Sequence, residues 1–261
     1  MPSLRITTGV SQEESTAVQR RFLTRGSWTQ ERESYFSPNR ELILGLELKT
    51  ETASGLRLFA ASLETRSGRR STVSGNKLSK QFLSPGRYGR GYDHWNGSPW
   101  RPDSSQIALF GFDANGSRGY GAGSLFDVSS RKWTRFSEGP SLLSHHMWSP
   151  TGEYYLFRDM RNWYLLDVKI GQSRRLSEVN GYPRHAHFVA DDLILLMEDS
   201  FRVISAENLD LLAEESHPEI NNVGSDRYSF YDDESNRVLL GVGTSILDFV
   251  ISDNWYAIEV I

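Results

Sequence analysis

Short apolar runs recur along the chain, each introduced by an aromatic residue and a polar turn. Phe36-Ser-Pro-Asn-Arg-Glu-Leu-Ile-Leu shares its layout with Trp100-Arg-Pro-Asp-Ser-Ser-Gln-Ile-Ala-Leu-Phe and Trp148-Ser-Pro-Thr-Gly-Glu-Tyr-Tyr-Leu-Phe. Phe188-Val-Ala-Asp-Asp-Leu-Ile-Leu-Leu and Phe230-Tyr-Asp-Asp-Glu-Ser-Asn-Arg-Val-Leu-Leu repeat it without the proline. Proline fixes φ early in such a turn, and Gly, Asn or Asp tolerates the dihedrals that follow. The runs after the turn, such as Ile107-Ala-Leu-Phe and Leu193-Ile-Leu-Leu, are apolar throughout and predict a strand covered on both faces. A further strand follows in each unit, for example Ser124-Leu-Phe-Asp-Val, Trp163-Tyr-Leu-Leu-Asp-Val and Phe201-Arg-Val-Ile-Ser. The last piece of each unit is short and charged, as in Arg69-Arg-Ser-Thr-Val and Ser173-Arg-Arg-Leu, and suits an exposed edge. Before the repeats, Leu4-Arg-Ile-Thr-Thr predicts a strand, and Ser11-Gln-Glu-Glu has the spacing of a capping box that opens a helix through Phe22.

The leading aromatics are 64, 48, 40 and 42 residues apart. The last three intervals are close to the period of a four-stranded propeller blade, about 40–45 residues. The expected fold is therefore all-β: one small β-propeller occupying residues 1–261, with repeats over 35–250 and the strand and short helix in 1–34. Five blades are expected. Six is the alternative, because Ile246-Leu-Asp-Phe-Val-Ile-Ser and Trp255-Tyr-Ala-Ile-Glu-Val-Ile supply two more strands. A ring needs one end of the chain to complete the blade begun by the other, and residues 4–8 are the candidate clasp. The aromatic followed by Ser-Pro-Asp-Gly resembles the WD40-like, or TolB-type, β-propeller repeat. Trp148-Ser-Pro-Thr-Gly is the nearest match, followed by Trp100-Arg-Pro-Asp-Ser and Phe36-Ser-Pro-Asn-Arg. The resemblance implies the fold and says little about activity.

Composition narrows the function. The formal net charge of −4 offers no strong field for nucleic acid or anionic lipid. No apolar run reaches membrane-spanning length, and the first residues lack the apolar core of a secretory signal, so the expectation is a cytoplasmic protein. The chain has no cysteine, which excludes disulfides, thiolate metal sites and a cysteine nucleophile. No Gly-x-Ser-x-Gly elbow or phosphate-binding glycine loop is present.

Breaks in the repeat point to function. The first interval is about 20 residues too long for one blade. The excess lies at 84–99, expected between the outer strand of one blade and the inner strand of the next, on the top face of the ring. It carries Arg87, Tyr88, Arg90, Tyr92, His94 and Trp95, residue types that dominate protein-interface hot spots. These six, with Trp163, are the candidate partner-binding residues; the alternative is a glycine-rich spacer. A second break, Phe112-Asp-Ala-Asn-Gly-Ser-Arg-Gly, alternates oxygen ligands as a calcium loop does but lacks its glycine and terminal Glu, and reads as an Asn-Gly hairpin.

His145, His146, His185 and His187 fall just before a repeat aromatic, where side chains from successive blades converge on the channel. They read as channel-lining groups; the alternative is a cluster that holds a divalent metal or acts as a base. Oligogalacturonide lyases are propellers of similar repeat type that hold a metal with channel histidines. The likeness here is limited to histidine position. The chain is thus expected to be a non-catalytic protein-binding module without a cofactor, possible versions being an inhibitor or an immunity-type protein. The alternative is a carbohydrate-active enzyme, a glycoside hydrolase or metal-dependent polysaccharide lyase, that takes an oligosaccharide in the channel.

Overall fold

The computed structural model describes residues 2–23, 26–28, 32–51, 57–73, 83–84, 98–111, 123–136, 146–158, 162–176, 185–197, 200–216, 227–232, 234–246 and 249–261. Its described elements are strands apart from one helix. Four antiparallel sheets hold them. Two are plain four-stranded units. In one, β11 (His146–Trp148), β12 (Tyr154–Arg158), β13 (Trp163–Asp167) and β14 (Gln172–Arg175) follow in order; in the other, β15 (His185–Phe188), β16 (Leu193–Met197), β17 (Phe201–Ser205) and β18 (Leu211–Glu215) do so. We call these units three and four. Unit one is β3 (Arg32–Phe36), β4 (Leu42–Glu51), β5 (Arg57–Thr65) and β6 (Arg70–Thr72), with β2 (Gly26–Trp28) added beside β3. Unit two is β8 (Gln106–Gly111), β9 (Gly123–Asp127) and β10 (Trp133–Arg135), its first strand reduced to a bridge between Trp100 and Ile107. The short β7 (Leu83–Ser84) joins units one and two into a single nine-stranded sheet.

Unit five contains β19 (Arg227–Asp232), β20 (Arg237–Ile246), β21 (Phe249–Val260) and, on the outside, β1 (Leu4–Thr8). The expected clasp is therefore present: Leu4 pairs with Val260, Ile6 with Ile258 and Thr8 with Tyr256. The strands named for a sixth blade pair within the β20–β21 hairpin. All-β sheets in this order, completed by strands from both ends of the sequence, make a β-propeller.

The core follows the repeat. The second strands are the driest: Ile107, Ala108, Leu109, Tyr155, Leu156, Phe157, Ile194 and Leu195 are all buried, as continuous apolar runs require. Three leading aromatics pack back against the preceding unit. Trp100 sits with Tyr35, Leu44 and Leu46 of unit one; Trp148 with Ala108 and Leu125 of unit two; Phe188 with Leu156 and Leu165 of unit three.

Helix α1 (Gln12–Leu23) starts where the capping spacing placed it, with the Glu14 amide donating to Ser11 Oγ at 3.1 Å. The Glu14 carboxylate pairs with Arg237 at the start of β20. The helix rests on β19 and β21. On this sheet Val238, Leu240, Tyr256 and Ile258 face unit four, in one cluster with Leu195 and Val203. Strand alternation turns Leu239, Trp255 and Ala257 the other way, toward the helix, where Trp255 Nε1 donates to Gln12 Oε1 at 2.9 Å. The Trp255 ring lies over Gly241, whose place in β20 leaves no room for a side chain: a Cβ there would be 2.5 Å from the ring.

Candidate functional site

The position just before each leading aromatic links one unit to the next. Trp100 Nε1 donates to the Tyr35 carbonyl at 3.0 Å, and Trp148 Nε1 to the Pro99 carbonyl at 3.2 Å. The Phe188 amide reaches Met147 Sδ at 3.3 Å. Between units four and five the link is His187 Nε2 to Ser229 Oγ, at 2.7 Å. The turns after the aromatics interlock as well: the Asn39 amide donates to Ser104 Oγ at 3.2 Å, and the Thr151 amide to Asp191 Oδ1 at 2.6 Å. At Gly152, with φ +78°, a Cβ would come within 2.8 Å of the Arg101 side chain, so this turn closes on its neighbour through a glycine. Asp103 in the turn of unit two is held below the usual carboxylate range: partial burial pushes it up, and bonds from the Ser105 hydroxyl and amide, with Arg101 nearby, outweigh that.

The histidines of the proposed channel cluster are brought to neighbouring first strands, His146 on β11 and His185 and His187 on β15. His187 is wholly buried, at 0% exposure, and Ser229 nearly so at 4%. Its Nε2 is engaged by Ser229, which makes this imidazole part of the seam between units four and five. Among the described residues no group of three or more His, Asp or Glu is placed to hold a metal ion. His145 and the side chains of His146 and His185 lie outside the described residues. Ser229 escaped the sequence reading, although a signal existed: it precedes Phe230 as His187 precedes Phe188.

Trp163 requires a correction. It was expected to be a contact residue, but it is buried at 1% exposure among Met147, Leu156, Leu165 and Phe188. The reason is its place on β13, where Trp163 and Leu165 share the face packed toward unit four and Leu166 is buried on the opposite face against unit two. Arg87, Tyr88, Arg90, Tyr92, His94 and Trp95 lie outside the described residues, as does the calcium-like segment at 113–118.

The stems of the 84–99 insertion are described. On one edge β8 pairs with β9; on the other it pairs with two separate pieces. Leu83 and Ser84 lie opposite Gly111 and Phe110, and Trp100 lies opposite Ile107. A strand running straight on from Ser84 would set Arg87 opposite Ile107, yet Trp100 stands there, thirteen residues later. Leu83 also pairs with Phe59 of β5, on the edge of unit one that β6 occupies. One stem therefore lies between the outer edge of unit one and β8 of unit two, and the other, at Trp100, lies against β8.

No family model matches the chain, and none of the curated proteins does. Among solved structures, a chain of the mitotic checkpoint complex superposes with a TM-score of 0.51 at 11% identity, over 80% of this chain and 57% of that one. TolB from Acinetobacter baumannii gives 0.43 at 15% identity, over 86% and 54%, and the C-terminal WD40 domain of Sif2 gives 0.45 at 11%, over 82% and 52%. This chain thus spans a little over half the length of each. The class defined by the fold is a β-propeller. No helix among the described residues is long and apolar enough to cross a membrane.

Proposed function

We propose that this propeller is a non-catalytic protein-binding module whose main contact is the insertion at 84–99, with Arg87, Tyr88, Arg90, Tyr92, His94 and Trp95 as anchors. One observation carries the reading. The insertion leaves from Leu83–Ser84, a strand that pairs with β5 of unit one and β8 of unit two, and the chain is back on β8 at Trp100. A rigid scaffold that presents one aromatic, arginine-rich segment from the junction of two blades suits capture of a protein surface. An inhibitor or immunity-type protein that neutralises its partner in the cytoplasm is the specific form we favour.

The register supplies the test. Deleting residues 85–97 brings Ser98 into line after Ser84 and keeps Trp100 in register opposite Ile107. The deletion variant should unfold at the temperature of the full chain and should lose the protein that the full chain retains in a pull-down from its native source. Equal capture by both would remove the insertion from the interface. One equivalent of tightly held metal in the purified chain, with oligosaccharide turnover, would replace the binding module with the carbohydrate-active alternative.

A further inference from the structure

We propose that the outer rim of units one to three is a second docking surface, built for an acidic protein. The outermost strand of each unit, with the turn that leads into it, forms one stretch of rim. In unit one this stretch carries Arg66, Arg69 and Arg70; in unit two Arg131, Lys132 and Arg135; in unit three Lys169, Arg174 and Arg175. These nine cations include no acid among them from 66–73, 129–136 or 168–176. The same stretch of unit four reverses sign: Glu207, Asp210, Glu214 and Glu215 stand there without a cation. All are solvent-exposed except Arg174, which is half-buried.

The stretches form one continuous belt. Arg131 of unit two donates to the Thr72 carbonyl of unit one, and Trp133 Nε1 donates to the Val73 carbonyl at 3.1 Å. Ser173 Oγ of unit three donates to the Phe136 carbonyl of unit two at 2.9 Å. Arg174 donates to the carbonyls of Ala206 and Glu207 in unit four. Arg66, likewise, donates from Nε to the Arg40 carbonyl at 2.6 Å. Carbonyl partners fix these guanidinium groups in place and leave their formal charge intact. Among the nearby carboxylates, Glu64 on β5 lies opposite Arg70, and others are engaged by local donors. Asp127 accepts from the Ser129 hydroxyl and from the amide and hydroxyl of Ser130, and Asp167 accepts from the Lys169 and Ile170 amides. Glu47 pairs with Arg70 at 3.0 Å.

Protection of an edge strand explains charge but not its sign, since either sign blocks strand addition. Three successive rims of one sign, followed by the opposite sign, instead form a field with a direction. It attracts an acidic surface and repels it at unit four, which fixes register. Seven of the nine cations are arginines, whose planar fork matches a carboxylate. A second copy of the chain is a poorer fit, because the rim stretch of unit four offers four carboxylates against nine cations. Nucleic acid is also a poorer fit, because the belt ends against four acids on a chain of net charge −4.

Labelled poly-L-glutamate is the probe, with binding read by fluorescence anisotropy. The variant Arg69→Gln/Arg135→Gln/Lys169→Gln removes one charge per unit and touches none of the belt's hydrogen bonds named above. The full chain should bind, weaken on going from about 50 to about 300 mM salt, and bind at least about tenfold more tightly than the triple variant. Glu207→Gln/Glu215→Gln should bind no more weakly than the full chain. The 85–97 deletion should bind poly-L-glutamate as the full chain does, so that failure of this surface and failure of the insertion are read separately. Equal binding by the triple variant overturns the proposal. So does tighter binding of a short DNA duplex than of poly-L-glutamate, or a salt-sensitive oligomer of the full chain that the triple variant abolishes.

Discussion

Between units one and two, and again between units two and three, a buried indole reaches back to a main-chain carbonyl. Beside the helix, the indole of Trp255 reaches a side-chain amide, Gln12, and the contacts around it are of another kind. Buried Ser15 and Gln19 bond to each other at 2.8 Å, and Arg237 bridges Glu14 of the helix and Asp232 of β19. Burial lowers the Arg237 pKa and these two carboxylates raise it further, so the net direction is upward and the guanidinium stays charged. The first two internal seams thus repeat one device, an indole bound to a carbonyl, whereas the closing region is assembled from a strand and helix outside the repeat and relies on side-chain pairs. The repeat makes the blades, and the non-repeated first residues hold the end of the ring.

The most severe way to break this contrast is to remove residues 2–23, which strips β1 from β21 and uncovers Trp255. Cooperative thermal unfolding, followed by circular dichroism, should disappear, since a domain's whole margin is only about 5–15 kcal/mol. A surviving cooperative transition would show that the repeats close without help. Next in size is Gly241→Ala, which drives a methyl group into the Trp255 ring and should cost about 3 kcal/mol in denaturant melts. Gly152→Ala, strained by its φ and by Arg101, should cost about 2 kcal/mol. Trp100→Phe leaves the buried Tyr35 carbonyl without its indole donor and should cost about 2 kcal/mol; Trp255→Phe, whose Gln12 partner is half-buried, should cost about half as much. Equal losses for these two tryptophans would erase the distinction between the seams.

The smallest effect is one of pH. Bonds from the Ser130 amide, and from the hydroxyls of Ser130 and Ser129, hold Asp127 below the usual carboxylate range. A depressed folded-state pKa stabilises the fold above the unfolded value, near 4, and that contribution is lost as pH falls through the folded value. Glu214, lowered by the Ser200 hydroxyl and by Arg202, adds a second contribution of the same sign. Asp127→Asn should flatten slightly the fall in melting temperature between about pH 5 and pH 3. A slope unchanged from the full chain would remove Asp127 from the acid response.

The blades were legible because aromatic, turn and strand recur in a fixed order and burial follows that order. The short edge strands were placed within a residue or two, and Ser11 announced the helix. What escaped the sequence depended on contacts between units. Trp163 has the same aromatic chemistry as Trp95, and only its inward position on β13 makes it core. The insertion was visible as excess length, but the pairing of its stem with both β5 and β8 emerged only from the sheet. The need for Gly241 could not be read locally, because Trp255 comes from the neighbouring strand. The candidate anchors Arg87 to Trp95 lie outside the described residues, so for them the sequence is the only guide.

Closure of the ring by β1 admits a direct measurement, made simple by the absence of cysteine. Arg5 and Glu259 lie opposite each other on β1 and β21, and their side chains meet at 3.3 Å on the surface. Cross-strand neighbours are within disulfide reach. The double variant Arg5→Cys/Glu259→Cys should oxidise to an intramolecular disulfide that links the two ends of the sequence, seen as faster migration of unreduced monomer and loss of both free thiols. Two titratable thiols in the folded monomer, or cross-linked dimers alone, would contradict the closed propeller.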